Sequence, residues 1–389
     1  MKSPSRRVGL IVLLGFSLSL SWASGGPALA LPGHWSPTRP MTTPLGLTHR
    51  ATLLADGRVL VTGGTACIAD APLDSAELYD PEDNSWSAAA RMSTTRTRHV
   101  SIGLSDGRVL VAGGRLNDVG PSLATAELYD PVGNTWMITG SMNRPRDNYA
   151  AVRLADGKVL VSGGINVDVA PPKGSPFILN SAEIYDPATG TWSFTGHMRN
   201  ARWGHSLILL AGGDVLAAGG NTPGGREIPT RTAEIYNPQT GTWTPTGNLN
   251  IARSFYASTQ VGDRRVLVAG GDTKAAEGFV TETAELYDVQ TGTWTQTGSM
   301  AFARGGHGFS LAAQLPDGNI LVAGSAFPPS AADTAELYNP GTGTWSLTAS
   351  MSVVRLGAVS TSLTDGRVLV AGGCDQDGID LATADVYAP

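Results

Sequence analysis

Short apolar runs separated by glycine-rich turns follow one another along most of the chain. Seven of them end in Gly-Gly or in the variant Gly-Ser, as in DGRVLVTGG at 56–64 and DGRVLVAGG at 365–373. Runs of Val and Leu are typical of strands buried on both faces, and Asp-Gly is typical of the tight turn before such a strand. No stretch of these repeats has the 3.6-residue period of an amphipathic helix. The pattern therefore predicts an all-β protein made of short strands.

The apolar runs recur at a period of about fifty residues, together with two aromatic markers. A motif of the type Ala-Glu-Leu-Tyr follows each glycine pair, and a tryptophan follows a second tight turn after most of the tyrosines. The markers are Tyr79, Tyr129, Tyr185, Tyr236, Tyr287, Tyr338 and Tyr387, with Trp86, Trp136, Trp192, Trp243, Trp294 and Trp345. Four short strands repeated at this period predict a seven-bladed β-propeller, with one blade per unit.

The tryptophan marker is missing after the last tyrosine, and an extra one stands before the first repeat. The nonapeptide GHWSPTRPM at 33–41 shares Gly, Trp, Ser, Thr and Met with GTWSLTASM at 343–351, column by column. We therefore predict that this N-terminal strand completes the seventh blade, whose other three strands come from 355–387. Closing the ring in this way pairs both edges that a linear array would leave open.

The two cysteines support the same closure. Cys67 and Cys374 each lie just past a glycine pair, in equivalent loops of the first and seventh blades, which a closed ring makes neighbours. A disulfide between them would persist in an exported protein. The alternative is two unpaired cysteines whose Cα atoms are too far apart for a bond.

Paired glycines followed by a Tyr and a Trp at fixed offsets resemble the kelch repeat, and the resemblance covers 31–389. It implies a kelch propeller but says little about activity, because one fold hosts many functions. The kelch family includes actin-binding proteins, ubiquitin-ligase adaptors, galactose oxidase and periplasmic sialic-acid mutarotases. The copper ligands of galactose oxidase cannot be mapped onto this sequence, so we expect no cofactor and no metal. A calcium loop at 375–380 is an alternative to a solvated acidic loop.

Residues 1–30 read as a signal peptide. A basic start, the apolar run VGLIVLLGFSLSL and the small-residue pattern of Ala28 and Ala30 are the three parts of such a peptide. Cleavage would leave 31–389 as the mature propeller, with no membrane span; an uncleaved anchor is the alternative. The mature chain would have 24 basic and 33 acidic residues, which disfavours nucleic-acid binding. We expect a monomer in the periplasm, at the cell surface or outside the cell.

Six arginines recur four residues after the Met or Leu that ends each tryptophan strand. They are Arg96, Arg146, Arg202, Arg253, Arg304 and Arg355. Ring symmetry would collect them at one rim of the central channel, where they could bind an anionic ligand. They could instead pair with the acid of each Ala-Glu-Leu-Tyr motif. Those acids are Glu77, Glu127, Glu183, Glu234, Glu285, Glu336 and Asp385.

Departures from the repeat are the other candidates for a site. Asp147, Asn148 and Trp203 stand in the same rim connections but differ from blade to blade, and 221–231 adds Arg226 and Glu227. The longest loop, 165–180, carries Phe177 and Ile178, which we expect near its tip. An exposed tryptophan beside polar groups suits a carbohydrate; a tryptophan plugging the channel is the alternative. The recurrence of His99, His205 and His307 at one strand position favours a structural role over a metal site.

These observations predict an exported kelch propeller that binds a glycan or an extracellular protein through one rim of the ring. One alternative is a carbohydrate isomerase of the mutarotase or epimerase kind, with Asp147 or Glu227 as the acid/base in the channel mouth. A purely structural surface protein is the other alternative. The sequence leaves open whether the protein is an enzyme.

Overall fold

The computed structural model describes 33–68, 71–117, 120–167, 177–223, 228–274, 279–306, 311–324 and 328–389. The predicted signal peptide, 1–30, lies outside these residues and stays a prediction. The described chain forms seven four-stranded antiparallel sheets, which confirms the seven-bladed β-propeller. Among the described residues no helix has the length and apolarity needed to cross a membrane.

Blades are numbered in chain order, and the strands of each are called inner, second, third and outer. Blade 1 contains Arg50–Leu53, Val59–Thr62, Ala76–Asp80 and Ser85–Ala88; blade 2 contains Val100–Gly103, Val109–Ala112, Ala126–Asp130 and Thr135–Thr139; blade 3 contains Ala150–Arg153, Val159–Ser162, Ala182–Asp186 and Thr191–Phe194; blade 4 contains Ser206–Leu209, Val215–Ala218, Ala233–Asn237 and Thr242–Pro245. Blade 5 contains Ala257–Val261, Arg265–Ala269, Ala284–Asp288 and Thr293–Gln296; blade 6 contains Leu311–Gln314, Ile320–Ala323, Ala335–Asn339 and Thr344–Leu347; blade 7 contains Val359–Ser362, Val368–Ala371, Ala384–Ala388 and the N-terminal His34–Pro37.

Three short elements decorate the loops after the glycine pairs. Ile165–Asn166 pairs with Phe177–Ile178 in blade 3, and Asn221–Thr222 pairs with Ile228–Pro229 in blade 4. A 3₁₀ turn, Pro329–Ala331, lies in the described part of the corresponding loop of blade 6. Phe177 and Ile178 therefore belong to the returning strand of a ribbon, which corrects the expectation that they lie at a loop tip.

The hydrophobic core lies between blades rather than within one of them. Val109 and Val111 of blade 2 pack in one cluster with Leu60 and Leu78 of blade 1. Each marker tyrosine contacts the marker tryptophan of its own blade, with ring centroids 5.0–5.1 Å apart. The indole then donates to the preceding blade, as Trp243 does to the carbonyl of Gly196 at 2.9 Å. The repeated markers are thus the contacts that stack the blades.

The ring closes as predicted. Trp35 faces Tyr387 in an antiparallel pairing of His34–Pro37 with the third strand of blade 7. Cys67 and Cys374 form a disulfide with their Cα atoms 6.0 Å apart, and this confirms the predicted bond. The N-terminal strand and the disulfide therefore join the same two blades by independent means.

Candidate functional site

The six arginines of the blade connections are fully buried. Each forms an ion pair with the acid on the third strand of the blade that it enters, at N–O distances of 2.8–3.0 Å. The pairs are Arg96–Glu127, Arg146–Glu183, Arg202–Glu234, Arg253–Glu285, Arg304–Glu336 and Arg355–Asp385. The sequence left two roles open for these arginines, and the structure shows that each one pairs with the acid of its blade.

Arg202 shows how such a pair joins two blades. Its Nη1 donates to the carbonyls of Gly219 and Thr232, 2.8 Å from each, and its Nη2 donates to Glu234 Oε1 at 2.8 Å. Its own carbonyl accepts the N–H of Gly164 in the preceding blade at 2.9 Å. Every one of the six guanidinium groups is enclosed in this way, and none lines the central cavity. We therefore correct the expectation that these arginines bind an anionic ligand.

Blade 1 departs from the arginine rule because Leu45 stands at the arginine position. The carbonyl of Leu45 accepts the N–H of Gly373 at 2.9 Å, as the carbonyl of Arg96 accepts that of Gly64 at 3.0 Å. Gly46 follows as an extra residue before the bridge between Leu47 and Thr65. A Cβ at Gly46 would lie 2.5 Å from Asp380 Oδ1, which accepts the N–H of Cys67 at 2.6 Å. Gly46 therefore has no room for a side chain beside the disulfide-bonded seam.

The blade-specific polar residues of the rim are also tied into the fold. Asp147 is fully buried, accepts a hydrogen bond from the Ser122 hydroxyl at 2.9 Å and lies 3.3 Å from Arg115 Nε. The Asn148 amide donates to Asp147 Oδ1 at 3.2 Å. A carboxylate held in this way is not presented to a sugar in the channel, so the proposed acid/base role of Asp147 loses its support.

Trp203 is a buried side chain of the rim, and neither an exposed stacking platform nor part of the lining of the central cavity. It is 8% exposed and meets Phe255 edge-on, with the ring centroids 5.4 Å apart, in a cluster with Ile165 and Ile178. Its ring is covered by these neighbours, which corrects the expectation of a sugar stacked on Trp203. Arg226, Glu227 and His307 lie outside the described residues, as does most of the loop at 165–180.

The acidic loop of blade 7 is organised by its own backbone. Asp375 Oδ1 accepts the N–H of Asp377 at 2.9 Å and that of Ile379 at 2.8 Å. This carboxylate therefore caps a turn, which is the arrangement expected of a solvated acidic loop.

Buried histidines line the seams between the inner parts of the blades. His49 Nε2 donates to the carbonyl of Ala371 in blade 7, while His99 and His205 each hydrogen-bond a hydroxyl on the second strand of the preceding blade, all at 3.0 Å. Burial lowers the pKa of His49 to about 4 and the pKa values of His99 and His205 well below their ordinary range. These imidazoles are neutral structural groups.

We expect the stability to fall as the pH drops from about 6.5 to about 4. The unfolded chain protonates His49 near pH 6.5, whereas the folded chain keeps it neutral until about pH 4. The unfolded state therefore binds more protons in this window, and the free energy of unfolding decreases with falling pH. His49→Gln should reduce the loss by about 2–3 kcal/mol in urea titrations at about pH 7 and about pH 4.5. His197→Gln is the control, because His197 is exposed. An equal change in the free energy of unfolding between the two pH values for both variants would refute this expectation.

A central channel remains, and a cavity of about 370 Å³ opens at the end where the inner strands begin. We call this end the entrance mouth and the opposite end, where the inner strands terminate, the exit mouth. The hydroxyl-bearing residues Ser101, Ser206, Ser258 and Ser360 line the cavity from four blades. The hydroxyls of Ser258 and Ser360 have no hydrogen-bond partner among the described residues, so they are available to a ligand.

Among the described residues, Arg50 is the one charged side chain that lines this cavity, because the buried histidines of the lining are neutral. It begins the inner strand of blade 1, and the equivalent positions in the other blades are uncharged. In register with it stand Val100, Ala150, Ser206, Ala257, Leu311 and Val359. Its guanidinium donates to the carbonyls of Thr48 and His49, at 3.3 and 3.0 Å. Burial lowers its pKa to about 10, which still leaves it charged at neutral pH.

The backbone around the entrance mouth makes the same left-handed turn in every blade. The residues at positive φ are Thr48, Arg98, Asn148, Gly204, Phe255, Gly306 and Gly357. Glycine adopts this conformation freely, but a β-branched threonine at φ 63° and a phenylalanine at φ 50° do so at a cost. Such strain is concentrated at functional sites in many proteins. Thr48 and Phe255 both line the cavity.

Arg50, Thr48 and Phe255 were not predicted from the sequence. An alignment of the blades on their strand pairing would have shown both residues as exceptions. Arg50 is the one charged residue in its column of the alignment, and Phe255 is the one aromatic residue in its column. The sequence-based prediction named the recurrent arginines instead, and these hold the blades of the ring together.

Comparison with known proteins agrees with this architecture. Residues 47–93, 96–143 and 148–199 match the family model described as the kelch motif, and the same strand pattern is present in all seven blades. The protein is a seven-bladed propeller that carries kelch motifs. This kelch propeller is similar in fold to a fungal alcohol oxidase of the AA5 family in complex with copper, with a TM-score of 0.72 and 19% identity over 92% of this chain and 76% of that one. It is also similar to the structure of YjhT, with a TM-score of 0.60 and 15% identity over 80% and 99% of the two chains.

Curated relatives share the kelch repeats over part of their length. The propeller is 24% identical to Kelch-like protein 25 of Xenopus tropicalis over 47% of this chain and 29% of that protein. It is 29% identical to Kelch-like protein 34 of Homo sapiens over 41% and 24% of the two chains. It is 27% identical to alpha-scruin of Limulus polyphemus over 52% and 23%. The chain thus matches less than a third of the length of each of these relatives.

Proposed function

We propose that the protein is an exported binding module that captures a carboxylate-bearing sugar residue, such as a uronic acid within a glycan, in the cavity at the entrance mouth. The observation that carries this proposal is the position of Arg50, a blade-specific charge inside an otherwise uncharged cavity. Kelch propellers serve as interaction modules, and the site proposed here is a departure from the repeat rather than part of it.

The electrostatics of the cavity favour an anion. Arg50 is desolvated enough to lower its pKa, and the buried His49 and His205, which line the same cavity, are held neutral. An incoming carboxylate would therefore meet the positive charge of Arg50 in a partly dehydrated site, where a charge-assisted hydrogen bond is stronger than in water.

Size and polarity favour a sugar residue as the bearer of that carboxylate. A cavity of about 370 Å³ lies within the range of small-molecule pockets. The hydroxyls of Ser258 and Ser360 line the cavity and can bond sugar hydroxyls. The surrounding structure holds Thr48 and Phe255 at positive φ, so this rim is in place before the ligand arrives.

The test is a glycan-array screen of the mature protein, with Arg50→Gln in parallel. We expect binding to glycans that carry uronic acids, and a loss of at least roughly tenfold in affinity for Arg50→Gln, because the charge-assisted hydrogen bond is removed. Arg58→Gln is the matched control, since Arg58 is a partly exposed arginine of the same blade, paired with Asp56 at 2.6 Å.

Two results would overturn the proposal. Binding of acidic glycans that is unchanged in Arg50→Gln would place the site elsewhere. Binding to no glycan, together with capture of a protein by the wild type but not by Arg50→Gln, would replace the sugar carboxylate with a protein carboxylate.

A further inference from the structure

The exit mouth of the channel has side chains that also differ from blade to blade. At this end, in register with the first Val or Ile of each second strand, stand Leu53, Gly103, Arg153, Leu209, Gln260, Gln314 and Ser362. Blade 2 has a glycine between a leucine on one side and an arginine on the other. The missing side chain leaves room at the exit mouth between blades 1, 2 and 3.

A second cavity, of about 480 Å³, occupies this room. Leu53, Leu54 and Leu104 form part of its wall, while Ser105, Arg108 and Arg153 supply polar groups. It shares no lining residue with the entrance cavity. Apolar walls with a few polar groups at one side are typical of a small-molecule pocket. We call this cavity the exit pocket.

The two arginines of the exit pocket differ in their partners. Arg108 pairs with Asp106 at 2.6 Å, so its charge is compensated. Arg153 donates from Nη1 to the carbonyl of Gly103 at 3.1 Å and has no carboxylate partner among the described residues. This single hydrogen bond holds the guanidinium over the space that the glycine leaves, with its charge uncompensated.

We propose that the exit pocket binds a small organic anion with an apolar body, of the medium-chain or aryl carboxylate class. The carboxylate is bound by Arg153 with the Ser105 hydroxyl beside it, and the apolar body lies against the leucines. Burial of that body supplies binding energy in proportion to its apolar area, and the arginine selects the charged head group. The site acts independently of the entrance cavity and of its proposed ligand.

The test uses calorimetric titration of the mature protein with octanoate, with octanol as the neutral analogue and acetate as the analogue without an apolar body. We expect octanoate to bind at least roughly tenfold more tightly than either analogue, because each lacks one of the two contributions. Arg153→Gln should remove the preference for octanoate over octanol. Arg367→Gln is the control, because Arg367 lies at the same end of the ring but pairs with Asp365 at 2.6 Å.

Gly103→Leu provides a second, steric test. A Cβ at Gly103 would meet its nearest neighbours, Leu53 O and Thr52 Cγ2, at 3.7 Å, which is ordinary contact, and the equivalent positions of blades 1 and 4 already carry leucine. The variant should fold with an unchanged melting temperature and lose octanoate binding. Unchanged octanoate affinity in both Arg153→Gln and Gly103→Leu would refute the proposal, as would the absence of saturable binding by the wild type. Loss of octanoate binding in Arg50→Gln would instead assign the ligand to the entrance cavity.

Discussion

Replacing Arg202 by methionine is expected to lower the free energy of unfolding by about 3–5 kcal/mol. Arg202 and Glu234 are almost completely buried, and the guanidinium is the one cation that faces this carboxylate among the described residues. Without it, Glu234 keeps only the backbone N–H groups of Arg199 and Asn200, at 2.7 and 3.2 Å. The carbonyl of Gly219 also loses this donor, and that of Thr232 keeps only the N–H of Gly219, at 3.1 Å. The loss of stability therefore comes mainly from the buried Glu234 carboxylate, which is left with too few hydrogen-bond partners.

Urea titration measures this effect, and two further variants define its origin. Arg58→Met breaks a half-exposed pair and should cost less than about 1 kcal/mol. Arg202→Met combined with Glu234→Gln should be more stable than Arg202→Met alone, because the unpaired charge is then absent. A cost for Arg202→Met no larger than that for Arg58→Met would show that the pair does not hold the blades together.

Removal of the disulfide is expected to have an effect of similar or larger size. The bond joins residues 307 apart in sequence, so it restricts most of the unfolded chain. The chain-entropy model assigns about 5–6 kcal/mol to a loop of that length, as an upper value. In Cys67→Ala combined with Cys374→Ala, pairing of His34–Pro37 with blade 7 still closes the ring, so the variant should fold but unfold at lower urea concentration.

The wild type treated with a dithiol reductant is the matched comparison for this double variant. The reduced wild type and the double variant should share one urea midpoint, below that of the oxidised protein. Coincident midpoints for the oxidised protein and the double variant would mean that the N-terminal strand alone secures the ring.

Much of the architecture could be predicted from the sequence because every blade is built from the same short motifs. Each blade carries the same turn glycines, buried Val-Leu-Val strand, tyrosine and tryptophan, and local patterns of this kind depend little on distant residues. The displaced tryptophan at Trp35 identified the closing strand, and the equivalent loops of Cys67 and Cys374 identified the disulfide. These conclusions need only the order of the repeats and the fact that a ring must close.

The direction of individual side chains was decided by the tertiary structure. The sequence placed six arginines at one rim, but whether they face the channel or the neighbouring acid depends on how the blades pack. The same holds for Trp203, which Phe255 covers, and for Asp147, which Ser122 and Arg115 surround. Arg50 and Arg153 became candidates only when register aligned the blades and two cavities opened beside them. A repeat determines its own strands, whereas a site arises where unlike residues of several repeats meet across the axis, and only the assembled ring brings them together.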